Sequence, residues 1–160
     1  MLKAPAPRMN YAHLNKHAGK EVAALLAMSE AIANSGLEKE LQELVKIRAS
    51  QINGCAFCLQ MHSADARKIG MSEERLSLIA GWRESPVYSE RERAALALTE
   101  AVTLIAGHHG VSDEIFNDAA SVFSEAELTH LMAAIVNINA WNRISITYRF
   151  TPQVAVAKAA

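Results

Sequence analysis

Apolar residues recur every three or four positions along most of this chain, with charged and polar residues between them. This spacing is typical of helices, because each turn returns the apolar side chains to one face. No segment shows the strict alternation of a half-buried strand, and the helix-breaking residues glycine and proline are scarce. The pattern predicts an all-α, single-domain fold, with helices over residues 16–34, 38–52, 55–70, 72–82, 90–106, a short stretch opening at 112, and 125–148.

The apolar positions of these helices define the expected core. In the first two helices the inward-facing side chains are predicted to be Val22, Leu25, Leu26, Met28, Ile32, Leu41, Leu44, Val45 and Ile52. Leu-, Ala- and Met-rich faces on several helices also suit packing between subunits.

Turn and capping residues set the expected limits of the helices. Gly54, which follows Asn53, predicts a sharp turn because glycine readily adopts a positive φ. Ser72 is an expected N-cap, and Ser124 followed by Glu127 is a capping-box pattern that opens the last helix. The Gly-His-His-Gly segment at 107–110 is expected to be a loop.

The two ends of the chain are expected to lie outside the helical domain. The first residues carry two prolines and no periodic face, which predicts an irregular N-terminal arm at 1–16. A helical domain at 17–151 and a tail at 152–160 would follow.

Charge and hydropathy exclude two classes of partner. The net charge is −1 with no block of Lys or Arg, which gives no electrostatic basis for binding nucleic acid. The longest apolar runs, at 22–28 and 131–136, are too short to cross a membrane. The N-terminus lacks the apolar segment of a secretory signal, so a cytoplasmic location is expected.

The chemistry of the chain is concentrated around its two cysteines, Cys55 and Cys58, and a nearby histidine, His62. In a helix that begins near Cys55, the spacing i, i+3, i+7 places all three side chains on one face. A thiol attacks as its thiolate, which a helix N-terminus favours at Cys55 and a neighbouring imidazole favours at Cys58. The residues alone leave open which thiol reacts first.

The cysteine pair is also compatible with two structural roles. The two thiols could pack as small apolar side chains, or bind zinc with His62 and a fourth ligand from His108, His109 or a carboxylate. Structural zinc sites usually draw ligands from two knuckles, and no second Cys-x-x-Cys is present, so we expect neither a metal nor a cofactor. A thioredoxin-like fold would need βαβ units, which the sequence does not predict.

The segment 48–58, Arg-Ala-Ser-Gln-Ile-Asn-Gly-Cys-Ala-Phe-Cys, together with His62, resembles the core of the AhpD-like alkylhydroperoxidases of the carboxymuconolactone decarboxylase superfamily. The resemblance extends back to Glu43 and forward to the segment 138–144. Without it, Glu43 would be interpreted as part of a solvated charged face. The predicted catalytic set leaves out Asn139, Trp141, Asn142 and Arg143, since a Trp is more often part of the core and Asn139 could satisfy a buried carbonyl.

The resemblance implies a function for each site residue. Cys58 would attack a peroxide, Cys55 would resolve the product to an intramolecular disulfide, and His62 with Glu43 would form a proton relay. A dithiol partner, either a lipoyl group or a thioredoxin-like protein, would reduce the disulfide. The resemblance further implies an all-helical homo-oligomer, a trimer or hexamer, with sites near the subunit contacts.

One departure from the family pattern affects this interpretation. Some members carry a second histidine between the cysteines, where this chain has Ala56 and Phe57. The sequence therefore predicts a thiol-dependent hydroperoxidase with a shorter relay. The alternatives are a dithiol–disulfide reductase without peroxidase activity, a redox-sensing or metal-binding module, or a decarboxylase-type enzyme on the same scaffold. The decarboxylase branch works without the cysteine pair, which argues against it here.

Overall fold

The computed structural model describes residues 6–108 and 110–152. These form α1 (Tyr11–His17), α2 (Gly19–Ala33), α3 (Lys39–Asn53), α4 (Ala56–Lys68), α5 (Glu73–Leu78) with a 3-10 turn (Ile79–Gly81), α6 (Glu90–Thr103), α7 (Ile105–His108), α8 (Asp113–Val122) and α9 (Glu125–Tyr148). No strand occurs in this part of the chain, so the predicted all-α, single-domain fold is confirmed. None of these helices has the length and hydropathy that a bilayer span requires.

Helix α3 lies at the centre of the fold, packed against α4, α6 and α9. Leu41 and Val45 enter a core shared with α6, α8 and α9, whereas Leu44 and Ile47 enter a second core beneath α4 and α5. The predicted inward positions Leu41, Leu44 and Val45 are therefore confirmed, although Ile52 is only half-buried. A helix buried on several sides gives the side chains it carries a rigid support.

The turn between α3 and α4 forms as the Asn-Gly pair predicts. Gly54 has φ +72°, the left-handed conformation that glycine adopts most readily. Its N–H donates to the carbonyl of Gln51, and the Cys55 N–H donates to the carbonyl of Ser50 at 3.0 Å. Cys55 then caps α4, its Sγ accepting a hydrogen bond from the Cys58 N–H. The chain thus reverses at once and brings the first turn of α4 beside the end of α3.

The expected irregular arm at 1–16 is wrong over its second half, because Tyr11–His17 is a helix. The Asn10 side chain accepts from the His13 N–H at 2.9 Å and so caps the first turn. The ring of Tyr11 packs edge-on against that of Phe150, 6.5 Å between centroids. This support comes from the far end of the chain, so no local periodicity could predict it.

Two further boundaries differ from the prediction. The helix expected over 90–106 ends at Thr103, and the short helix α7 (Ile105–His108) occupies part of the expected loop. Leu104 interrupts the helix with φ −99° and ψ 15°, and the Gly107 N–H bonds back to its carbonyl. The apolar pattern continues across this break, which explains why the predicted helix extends beyond Thr103. His109 lies outside the described residues, as do residues 153–160 of the expected tail.

Both predicted serine caps are present. Ser72 Oγ accepts from the Arg75 N–H at the start of α5, and Ser124 with Glu127 forms the capping box of α9.

Candidate active site

Cys55 and Cys58 are joined by a disulfide and are each about 1% exposed. The two Cα atoms lie 5.4 Å apart, which is an ordinary separation for a bridged pair. The sulfurs pack against Ala49 of α3 and Ile138 of α9, with Phe57 beside them. The bridge closes a loop of only a few residues, so it constrains the unfolded chain less than a long-range bridge would. The bridge, which lies between α3 and α9, is therefore expected to contribute little to the stability of the fold.

Glu43 and His62 form the hydrogen bond that the resemblance implies. Glu43 Oε2 lies 2.9 Å from His62 Nδ1, and both side chains are largely buried between α3 and α4. The other carboxylate oxygen, Oε1, accepts from Lys46 Nζ at 2.8 Å. Glu43 is thus held between a histidine and a lysine, and is not part of a solvated face.

Burial raises the pKa of Glu43, but the hydrogen bond and charge of His62, together with Lys46, lower the pKa by more. The net pKa lies below the ordinary value of 4.5, so this carboxyl group is ionised at neutral pH. A carboxylate facing Nδ1 favours the tautomer that carries its hydrogen there. The Nε2 atom of His62 is then the nitrogen available to other groups, and Cys58 precedes His62 by one helical turn.

A cavity of about 360 Å³ opens beside the disulfide, between α2, α3, α4 and α9. Cys58 and His62 line it, whereas Cys55 and Glu43 do not. Most of the remaining wall is apolar and includes Leu26, Ile32, Met61, Ile138, Trp141 and Phe150. A small molecule in this cavity would meet Cys58 rather than Cys55.

Leu26 corrects one sequence prediction. The helical pattern places it in the core, but it is 48% exposed and lines the cavity instead. Helical periodicity identifies an apolar face but does not tell whether that face meets packed side chains or an open cavity.

A network of buried side-chain amides fixes the turn that carries Cys55. The Asn53 Nδ2 group donates to Oδ1 of both Asn139 and Asn142, at 2.9 Å each. Asn142 Nδ2 in turn donates to Ser50 Oγ at 3.0 Å, and Arg143 donates to Asn139 Oδ1 at 2.9 Å. The segment 138–144, whose polar residues lie outside the predicted catalytic set, therefore holds the end of α3 against α9.

Several residues that line the cavity have no role in the sequence prediction. Lys46, Asn137 and Trp141 are contributed by α3 and α9. Lys46 follows Glu43 by three residues, a helical spacing that could have suggested the ion pair. Asn137 and Trp141 are one turn apart on α9, but no local signal shows that this face borders a cavity.

Among residues 6–108 and 110–152, no group of three or more His, Cys, Asp or Glu side chains is arranged to hold a metal ion. His109 and the side chain of His108, considered as zinc ligands, lie outside the described part of the structure.

Comparison with known proteins agrees with the fold and the sequence motif. The model of the carboxymuconolactone decarboxylase family matches residues 20–101. The uncharacterised protein YdfG of Bacillus subtilis is 42% identical over 122 residues, which cover 76% of this chain and 82% of YdfG. The alkyl hydroperoxide reductase AhpD of Hyphomonas neptunium is 44% identical over 45 residues, only 28% of this chain and 25% of that protein.

A crystal structure from Agrobacterium tumefaciens, of ATU0492, superimposes with a TM-score of 0.87 and 41% identity. The match covers 94% of this chain and 100% of that chain, which is described as a protein of unknown function and a putative antioxidant defence protein AhpD. This chain therefore belongs to the carboxymuconolactone decarboxylase family and is an AhpD-like member of it.

Proposed function

We propose that this protein is a thiol-dependent hydroperoxide reductase in which Cys58 attacks the peroxide and Cys55 resolves the product. The observation that carries the proposal is the cavity, which Cys58 and His62 line and Cys55 does not. The proximity of the two sulfurs supports the second half of the cycle, because the first turn of α4 accommodates a disulfide between them. The partial similarity to AhpD proteins supports the same reaction class.

The first step oxidises Cys58. His62 accepts the thiol proton through Nε2, and the thiolate attacks the terminal oxygen of the hydroperoxide. The O–O bond breaks, the sulfur becomes a sulfenic acid, and the alkoxide leaves with the proton that His62 returns. Glu43 acts as a positioning residue, since its carboxylate at 2.9 Å orients the imidazole from the opposite side.

The second step closes the disulfide. The Cys55 sulfur attacks Cys58 at sulfur, the S–OH bond breaks, and the hydroxyl leaves as water with the proton of Cys55. Two thiols and one hydroperoxide thus give one disulfide, one alcohol and one water. A dithiol partner, a lipoyl group or a thioredoxin-like protein, returns two electrons and two protons. We propose the cytoplasm as the compartment, because it supplies such reductants.

A dithiol–disulfide reductase is the second candidate function. Ala56 and Phe57 occupy the positions between the cysteines where some relatives carry a histidine, so only His62 can serve the thiols from this segment. Peroxide reduction releases an alkoxide that must be protonated, so it is slowed when fewer titratable groups are present. Thiol–disulfide exchange has no alkoxide to protonate and is affected less.

We also propose that the protein assembles into a homo-oligomer, a trimer or hexamer. Exposed apolar side chains on α7, α8 and α9, namely Ile105, Phe116, Val136 and Ile146, support this proposal. Light scattering on the purified protein measures the mass directly, and a monomer at micromolar concentration would contradict it.

Two serine variants test the proposed chemistry. Cys58→Ser is expected to abolish hydroperoxide consumption, because the attacking sulfur is lost. Cys55→Ser is expected to react once and stop, leaving a sulfenic acid on Cys58 that dimedone labels. Unchanged turnover in either variant would overturn the mechanism. Rapid exchange with dihydrolipoamide but no reaction with hydroperoxide would favour the disulfide reductase.

A further inference from the structure

Lys46 of α3 forms an ion pair that differs from an ordinary surface pair. Its Nζ donates to Glu43 Oε1 at 2.8 Å, and the Lys46 and Glu43 side chains are only 21% and 12% exposed. The pair of Asp65 and Lys68 on α4 has the same i,i+3 spacing, but its side chains are 44% and 74% exposed. An exposed pair contributes little because solvent screens it, whereas a largely buried carboxylate needs a partner for its charge. Loss of the Lys46 partner is therefore expected to affect the groups around Glu43.

The two oxygens of the Glu43 carboxylate have different partners. Oε1 accepts from Lys46 Nζ, whereas Oε2 faces His62 Nδ1 at 2.9 Å. His62 of α4 and Lys46 of α3 are also the charged or titratable groups that act on this carboxyl group. With Oε1 held by the ammonium group, the carboxylate is oriented so that Oε2 points to the imidazole. The position of Lys46 therefore bears on the histidine through the glutamate between them.

The charge of Lys46 matters for a histidine that has to accept a proton. A buried carboxylate with no other cation beside it favours a protonated imidazole, because the opposite charge offsets the cost of burying its own. An imidazolium carries hydrogen on both ring nitrogens and cannot act as a base. Lys46 supplies the positive charge instead, so that Glu43 can stay ionised while His62 is neutral.

We propose that Lys46 is a positioning residue, which acts through Glu43 to keep His62 in the neutral form with its hydrogen on Nδ1. This inference rests on the proposed function, in which Nε2 of that form accepts the proton of Cys58. The lysine compensates the charge of the carboxylate and transfers no proton itself. Lys46 also lines the cavity that Cys58 and His62 line, so direct contact with a substrate is the role that the experiment has to separate from positioning.

Nitrogen NMR of the isotope-labelled disulfide form tests this inference without peroxide or reductant. At about pH 8 the ring-nitrogen shifts of His62, assigned by comparison with His62→Gln, give the ratio of the Nδ1–H form to its other forms. Lys46→Met is expected to lower this ratio by about tenfold. Lys46→Arg keeps a charged donor and is expected to retain the wild-type ratio. The matched control Lys68→Met breaks the exposed pair with Asp65 and is expected to leave the ratio unchanged.

An unchanged ratio in Lys46→Met, or equal losses in Lys46→Met and Lys46→Arg, would overturn the proposal. If Lys46→Met fails to fold, as judged by circular dichroism, Lys46→Ala removes the same charge with a good helix former. Hydroperoxide kinetics separate positioning from substrate contact. In Lys46→Met, kcat is expected to fall about tenfold with KM little changed, and a loss confined to KM would overturn the proposal. An inactive wild type would refute the proposed function, whereas the NMR ratio would still decide this inference.

Discussion

Glu43 Oε2 and His62 Nδ1 lie 2.9 Å apart although 19 residues separate them in the chain. The turn at Gly54 makes this possible, because it folds α4 back along α3. The carboxylate and the imidazole are both largely buried, so their interaction is little screened by solvent. Because Nδ1 faces the carboxylate, Nε2 is the ring nitrogen left for other groups, and the His62 side chain lines the cavity.

Glu43→Gln tests the positioning role of the carboxylate. The glutamine side chain keeps the shape of glutamate but has no charge. If its NH₂ group faces Nδ1, a donor lies against the Nδ1–H donor. We expect hydroperoxide turnover to fall by about 10- to 100-fold, the usual effect of losing a group that orients a catalytic histidine. Steady-state kinetics across pH measure it. Glu40→Gln, an exposed carboxylate on the same helix, is the control, and equal losses in the two variants would contradict the role.

The lowered pKa of Glu43 also predicts a pH dependence of stability. A carboxyl group whose folded-state pKa lies below its unfolded value stabilises the protein above that unfolded value, here 4.5. This contribution is lost as the pH falls through the folded-state pKa. Urea unfolding of the wild type and Glu43→Gln should therefore differ more near pH 6 than near about pH 3. A difference that stays constant, or grows on acidification, would refute the assignment.

Gly54→Ala tests the turn that precedes Cys55. A methyl group at Gly54 would meet no atom within 4 Å, so the cost comes only from its φ of +72°. We expect a loss of about 1 kcal/mol in the free energy of unfolding. Gly19→Ala is the matched control, because it has equal space and no positive φ, and it should keep or raise stability. Equal effects at the two sites would contradict the strain argument.

Asn142→Leu tests the amide network behind the turn. Asn142 is fully buried and bonds both Asn53 and Ser50, at 2.9 and 3.0 Å. The variant replaces these bonds with an apolar group in a polar setting, which should cost about 1–3 kcal/mol in denaturant unfolding. Asn117→Leu on exposed α8 should change stability by less than about 0.5 kcal/mol. A neutral Asn142→Leu would mean that the network does not hold the turn.

Helical periodicity and capping residues are sufficient to predict most of the fold. The limits of the last helix follow from the sequence because Ser124, Glu127 and a continuous apolar face act locally. Helix α1 cannot be predicted in this way, because it is supported by the packing of Tyr11 against Phe150, a contact between distant parts of the chain. Spacing alone likewise cannot show a break such as that at Leu104, where the apolar pattern continues.

The candidate site is only partly accessible from sequence. Cys55, Cys58 and His62 lie within one turn and helix, so their spacing carries the information. Glu43 requires the family resemblance, since a glutamate among other charged residues has no signature of its own. The place of Asn137 and Trp141 in the cavity wall could not be predicted, because the cavity forms between helices that are distant in the chain.

The central claim is that this cysteine pair reduces a hydroperoxide. The most direct test is to count the thiols of the reduced protein before and after one equivalent of cumene hydroperoxide, and to weigh the product by mass spectrometry. We predict the loss of both thiols and a mass decrease equal to two hydrogens, which corresponds to the Cys55–Cys58 disulfide. Two thiols remaining at unchanged mass would contradict the claim.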